Sequence, residues 1–216
     1  MKKKRIVCFG DSLTWGANPK EIARFDEEDR WPMVLQAELG DDYRIIEEAQ
    51  SGRTISNDDP AENDKNGIKY IVPCVESHDP FDLLVIMLGT NDCKRKFANS
   101  AMDIGGEMRL MVEKVLAFRD FRCISKFKIM IIAPPVISEA IKDSWIGDSF
   151  GYENAHKVSS GLAKWYKETA DMYGCAFMNA DDYVKTSDID GVHLDPEEQR
   201  KLGRAVAEYI KNEIRL

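Results

Sequence analysis

Hydrophobic and polar positions along the chain fall into short apolar runs separated by longer stretches of helical period. The runs Arg5–Phe9, Tyr43–Glu47, Leu83–Leu88, Lys128–Ala133 and Cys175–Met178 read as strands, being short, apolar and β-branched between turn-forming residues. Between them, Trp31–Leu39 and Ile68–Ser77 read as short helices, with Pro32 in a first turn, where its missing N–H costs nothing. Ile104, Met108, Met111, Val112 and Val115 share one helical face, as do Val158, Leu162, Trp165, Tyr166 and Thr169. A last helix begins at Asp195-Pro196-Glu197-Glu198, which resembles a capping box, and Leu202, Ala205, Val206, Tyr209 and Ile210 follow at helical spacing. Strands alternating with helices predict an α/β chain with a parallel sheet wrapped by helices. The stretch from Pro134 to Gly151 has no clear period yet carries Ile137, Ile141, Trp145, Ile146 and Phe150. Loops of that length in compact chains are often functional.

Composition narrows the class. At ~150 residues per domain, a chain of 216 residues without internal repeats or linkers is expected to form a single domain over 1–216. With 44% hydrophobic and 31% charged residues it can bury a core, which excludes a disordered or fibrous chain. Thirty basic against 38 acidic side chains leave a net charge of −8, so a polyanion is repelled and nucleic acid is not an expected partner. The longest aliphatic runs fall short of the ~18 residues of a spanning helix, so no membrane association is expected. The basic start Met1–Arg5 is followed too soon by Asp11 for a signal peptide. Five scattered cysteines without a Cys-x-x-Cys pair suit a reduced, cytoplasmic chain and form no zinc signature. None is assigned a function, and His78 and His156 read as ordinary helix or surface residues.

The candidate chemistry lies just beyond the strands. Gly10-Asp11-Ser12-Leu13, Ser51-Gly52-Arg53, Gly89-Thr90-Asn91-Asp92 and Asp190-Gly191-Val192-His193 each follow a strand, and in an open parallel sheet such loops converge on one crevice. Together they hold the parts of an acyl-transfer site: Ser12 as nucleophile, His193 as base and Asp190 as orienting carboxylate, with Asn91 and the backbone N–H groups of Ser12 and Gly52 as oxyanion donors. A serine hydroxyl is a poor nucleophile near neutrality and needs a neutral imidazole to take its proton. Asp190, three residues before His193, can hold the ring's other nitrogen. Each residue alone has a plainer reading, Ser12 as a helix N-cap and Asn91 or Gly52 as turn formers, but the four in this order favour catalysis. Asp11 and Asp92 read as structural carboxylates. Arg53 either contacts substrate or buttresses a loop. Trp15, Trp145 and Ile146 are candidate substrate-lining residues, with core packing as the alternative. There is no phosphate loop or Gly-x-Gly-x-x-Gly run.

Phe9-Gly10-Asp11-Ser12-Leu13-Thr14, Gly52, Gly89-Thr90-Asn91-Asp92 and Asp190-Gly191-Val192-His193-Leu194 resemble the four blocks of the SGNH, or GDSL, hydrolase family. Ser12–Gly16, Arg30-Trp31, Ile46-Glu47-Glu48, Ser51–Thr54, Asp59-Pro60 and Ile86–Asp92 are further similar to its bacterial arylesterase and acyltransferase subgroup. Where many members carry asparagine before the second block, this chain has Glu47-Glu48, as the subgroup does. The resemblance implies a flavodoxin-like three-layer α/β/α sandwich with a five-stranded parallel sheet. It also implies serine esterase chemistry on small acyl esters, no metal or organic cofactor, and a homo-oligomer whose neighbours narrow the pocket. The alternatives are a carbohydrate O-acetyl esterase and a non-catalytic flavodoxin-like binding module.

Overall fold

In the computed structural model, which describes residues 3–216, all the expected strands form. Met1 and Lys2 of the basic start lie outside the described residues. The strands are β1 (Lys4–Gly10), β2 (Tyr43–Ala49), β3 (Leu83–Met87), β4 (Lys128–Ala133) and β5 (Ala176–Asn179). They make one parallel sheet in the order β2-β1-β3-β4-β5. The helices are α1 (Ser12–Trp15), α2 (Trp31–Leu39), α3 (Gly67–His78), α4 (Ala101–Arg122), α5 (Gly147–Phe150), α6 (Glu153–Ser160), α7 (Leu162–Tyr173) and α8 (Pro196–Tyr209).

Alternation along the strands feeds two apolar layers. Val7 and Phe9 of β1 join Leu84, Ile86, Ile129 and Ile131 under the layer that holds Ile71 of α3, Met108 of α4 and Leu162 of α7. Ile6 and Cys8 join Leu83, Val85, Met87, Met130 and Ile132 beneath Leu35 of α2 and Val206 of α8. A strand buried on both faces needs apolar side chains in both registers, and β3 is buried throughout as Leu-Leu-Val-Ile-Met. Each such side chain contributes ~1.5–3 kcal/mol by leaving water. The result is the flavodoxin-like three-layer α/β/α arrangement.

Three details differ from the sequence reading. The stripe from Val158 to Thr169 is not one helix but α6 and α7, broken at Gly161. Ser159 and Ser160 turn their hydroxyls back to the His156 and Lys157 carbonyls just before the break, a geometry that weakens the helical ladder. Asp195 starts α8 without a capping box, because its side chain accepts from Ser187 Oγ and that of Glu198 from Lys185 N. The stretch after β4 contains a 3₁₀ turn (Glu139–Asp143) and the single-turn α5, with Ile137, Ile141 and Phe150 buried.

Sheet order places the crevice. The sequence of strands reverses direction at β1, which lies between β2 and β3, and ligands of open α/β sheets bind at such a switch point. Gly10 pairs with Ala49 on one side and Met87 on the other, so the loops after these three strands leave at one level.

Candidate active site

At the end of β1, Asp11 rather than Ser12 takes the helix-capping position. Its Oδ1 accepts from Leu13 N at 3.0 Å, which satisfies an orphan donor of the first turn. The Ser12 hydroxyl is thereby free for another partner. That partner is His193, whose Nε2 lies 3.0 Å from Ser12 Oγ across 181 residues of sequence. Asp190 Oδ2 holds the other ring nitrogen, Nδ1, at 2.6 Å. Its Oδ1 accepts from Val192 N and His193 N, both at 2.9 Å. Burial alone would raise the Asp190 carboxyl, but the hydrogen bond and charge of His193 with these two N–H groups hold it below its ordinary value. An ionised Asp190 keeps the proton on Nδ1, so the lone pair of Nε2 faces the Ser12 hydroxyl. The loop carrying this pair is braced by the stretch after β4, where Ser138 N donates to the Gly191 carbonyl at 2.9 Å.

The second and third loops are strapped beside it. Gln50 N donates to the Gly10 carbonyl, and Arg53 N closes a turn onto the Gln50 carbonyl. Gly52 sits at the third turn position with φ +82°, where only glycine is unstrained. A Cβ there would also lie 2.5 Å from Glu62 Oε2. Asn91 Nδ2 donates to the Arg53 carbonyl at 3.1 Å and lies 3.4 Å from Asp11 Oδ2. Asp92 accepts from Ile55 N at 3.0 Å and Asn57 Nδ2 at 2.8 Å, tying the second loop to the third. Asp11 and Asp92 are thus structural, as expected. Burial pushes the Asp11 carboxyl up to about 6. Burial and the neighbouring Glu107 raise Asp92 well above its ordinary range.

Arg53 takes the buttressing role that was one of its two alternatives. It is 4% exposed, and its Nη1 donates to the Gly10 and Glu48 carbonyls. The guanidinium lies 4.2 Å from the Phe9 ring centroid and 5.4 Å from that of Tyr70. Trp15 ends α1, half-buried under Arg24, which also donates to its carbonyl. Ile146 packs against the α4–α7 layer, whereas Trp145 beside it is 67% exposed. Two contributors escape the sequence reading. Gln199 is fully buried and bridges Trp31 N and the Leu13 carbonyl, fixing α1 from α8. Lys94, also buried, reaches Glu62 over Gly52. Neither has a motif that announces it.

This arrangement can move a proton from a serine to an imidazole. Comparison with known proteins bears on what it does. The family model described as the GDSL-like lipase/acylhydrolase family matches residues 8–201. Est24, a carbohydrate acetylesterase from Sinorhizobium meliloti, is 38% identical with a TM-score of 0.90, covering 97% of this chain and 99% of that one. The aryl esterase of M. smegmatis is 36% identical with a TM-score of 0.90, covering 96% and 98%. A G-D-S-L family member from Veillonella parvula, at 15% identity and a TM-score of 0.67 over 99% and 100%, shares the fold. No curated protein sequence matches.

Proposed function

Because this chain belongs to the GDSL-like lipase/acylhydrolase family, we propose that Ser12, His193 and Asp190 are the catalytic triad by which it acts as a serine esterase on short acyl esters. The observation that carries this reading is the continuous relay from Asp190 through His193 to Ser12. Ser12 Oγ attacks the ester carbonyl carbon while His193 Nε2 takes the hydroxyl proton. The negative oxygen that forms is held by the N–H groups of Ser12 and Gly52 and by the Asn91 carboxamide, which turns from its long contact with Asp11. Collapse expels the alcohol, which leaves with the proton from His193. Water or a second alcohol then attacks the acyl-enzyme, with His193 again as base, and frees Ser12.

Confined acyl space is expected from the similarity to the aryl esterase and Est24. Est24 also supports a second reading, in which the alcohol is a sugar and the chain is a carbohydrate O-acetyl esterase. Trp145, exposed on the 134–151 stretch, supports a homo-oligomer in which a neighbouring copy covers it and narrows the entrance. Free cysteines at all five positions support a reducing, cytoplasmic setting. Among the described residues no helix is long and apolar enough to cross a membrane. A series of p-nitrophenyl esters tests the acyl site: acetate should be cleaved faster than octanoate, and the reverse order would contradict a short-acyl esterase. Competition between an aryl acetate and an acetylated sugar separates the two alcohols.

A further inference from the structure

Beside Tyr70, whose ring lies against Arg53 and whose hydroxyl reaches Glu48, three ligand-type side chains meet that the esterase chemistry does not use. Glu48 comes from β2, and Cys74 and His78 from α3. A spacing of four residues puts Cys74 and His78 on one helix face, one turn apart. His78 Nε2 is 2.6 Å from Glu48 Oε1, and one donor atom from each of the three lies within 4.8 Å of the others. Among the described residues, this is the one group of three or more such side chains gathered so closely. Cys74 is buried at 1% exposure, while the Glu48 and His78 side chains are 21% and 20% exposed. The cluster is therefore closed on the thiol side and open to solvent at the carboxylate and imidazole.

We propose that Glu48, Cys74 and His78 form a zinc(II) site with water in the fourth position. A thiolate, an imidazole and a carboxylate are the borderline-soft donor set that zinc selects, and three protein ligands plus one open position is a geometry it adopts. Tetrahedral bonds of ~2.0–2.3 Å place donor atoms ~3–4 Å apart, so side-chain rotation of ~1 Å closes the cluster. Charge balances as well, because the thiolate and carboxylate offset the ion. Arg53, the cation facing the cluster, favours the thiolate. Without metal, burial and the charge of Glu48 push the Cys74 thiol up to about 12, which makes it inert as a nucleophile.

Cobalt(II), which reports a thiolate ligand by a charge-transfer band in the near ultraviolet, tests the site on the intact chain. Titration should give that band together with tetrahedral visible bands, saturating at one equivalent and displaced by zinc. Cys74→Ser should abolish the charge-transfer band while leaving p-nitrophenyl acetate hydrolysis intact, and Cys123→Ser should leave the spectrum unchanged. His78→Ala and Glu48→Gln should each weaken binding at least tenfold. Absence of a thiolate band in the wild-type chain, or its survival in Cys74→Ser, would overturn the assignment. Should Cys74→Ser fail to fold, unchanged affinity in His78→Ala would do the same.

Discussion

Asp190, Asp11 and Asp92 share a side chain and differ in what surrounds it. Asp190 gives one oxygen to His193 Nδ1 and the other to two backbone N–H groups, so it stays ionised and fixes the imidazole. Asp190→Asn should keep the fold yet cost up to ~10⁴ in kcat by favouring the wrong tautomer. Asp11→Asn should not reproduce that loss, because Asp11 holds neither ring nitrogen of His193. A nearly silent Asp190→Asn, or a loss of that size in Asp11→Asn, would assign the orienting role to another aspartate. Asp11 instead acts on stability. Its carboxyl rises from 3.8 to about 6 on folding, chiefly through burial, so the folded state binds the proton more tightly. Its contribution is therefore fully present below the unfolded value and is lost as pH climbs from about 4 to about 6. The slope follows from proton uptake on folding. In denaturation at pH 4, 5 and 6 the wild type should lose stability relative to Asp11→Asn as the pH rises. An unchanged slope in the variant would place the linkage elsewhere.

At the scale of elements, neighbouring glycines of α4 offer a test of packing. A Cβ on Gly105 would lie 2.4 Å from Trp165 Cβ, whereas Gly106 has nothing within 4 Å of that position. Gly105→Ala should force α4 from α7 and cost ~1–3 kcal/mol. Gly106→Ala, in an exposed helix interior, should stabilise by ~0.5–1 kcal/mol. Chemical denaturation reads both, and equal effects would contradict this packing. Such pairs show where sequence reading ends. Both glycines look alike in the sequence because the difference is made by Trp165, sixty residues away. The strands were legible because a buried parallel strand needs an unbroken apolar run, as in Leu83–Met87. Ser12 and Asn91 were legible because each closely follows such a run, and Asp190 and His193 because of their three-residue spacing. Gln199 was not, since its partners Trp31 and Leu13 are 168 and 186 positions distant. The break at Gly161 was hidden by an apolar stripe that continues through it.

For the molecule as a whole, the sheet order brings residues from the beginning and the end of the chain to one crevice. β1 and β3 are neighbours although some seventy residues of sequence separate them, and the last loop before α8 reaches Ser12 through His193. Turnover therefore depends on the complete sheet, while the chemistry is expected to pass through a single oxygen atom, Ser12 Oγ. Stopped-flow hydrolysis of p-nitrophenyl acetate by the wild type and Ser12→Ala tests that claim most directly. With deacylation slower than acylation, the wild type should release p-nitrophenol in a burst approaching one equivalent per chain. Folded Ser12→Ala should give no burst and a kcat lower by a factor on the order of 10⁶. A burst from Ser12→Ala, or retention of a tenth of wild-type turnover free of contaminating esterase, would contradict the account.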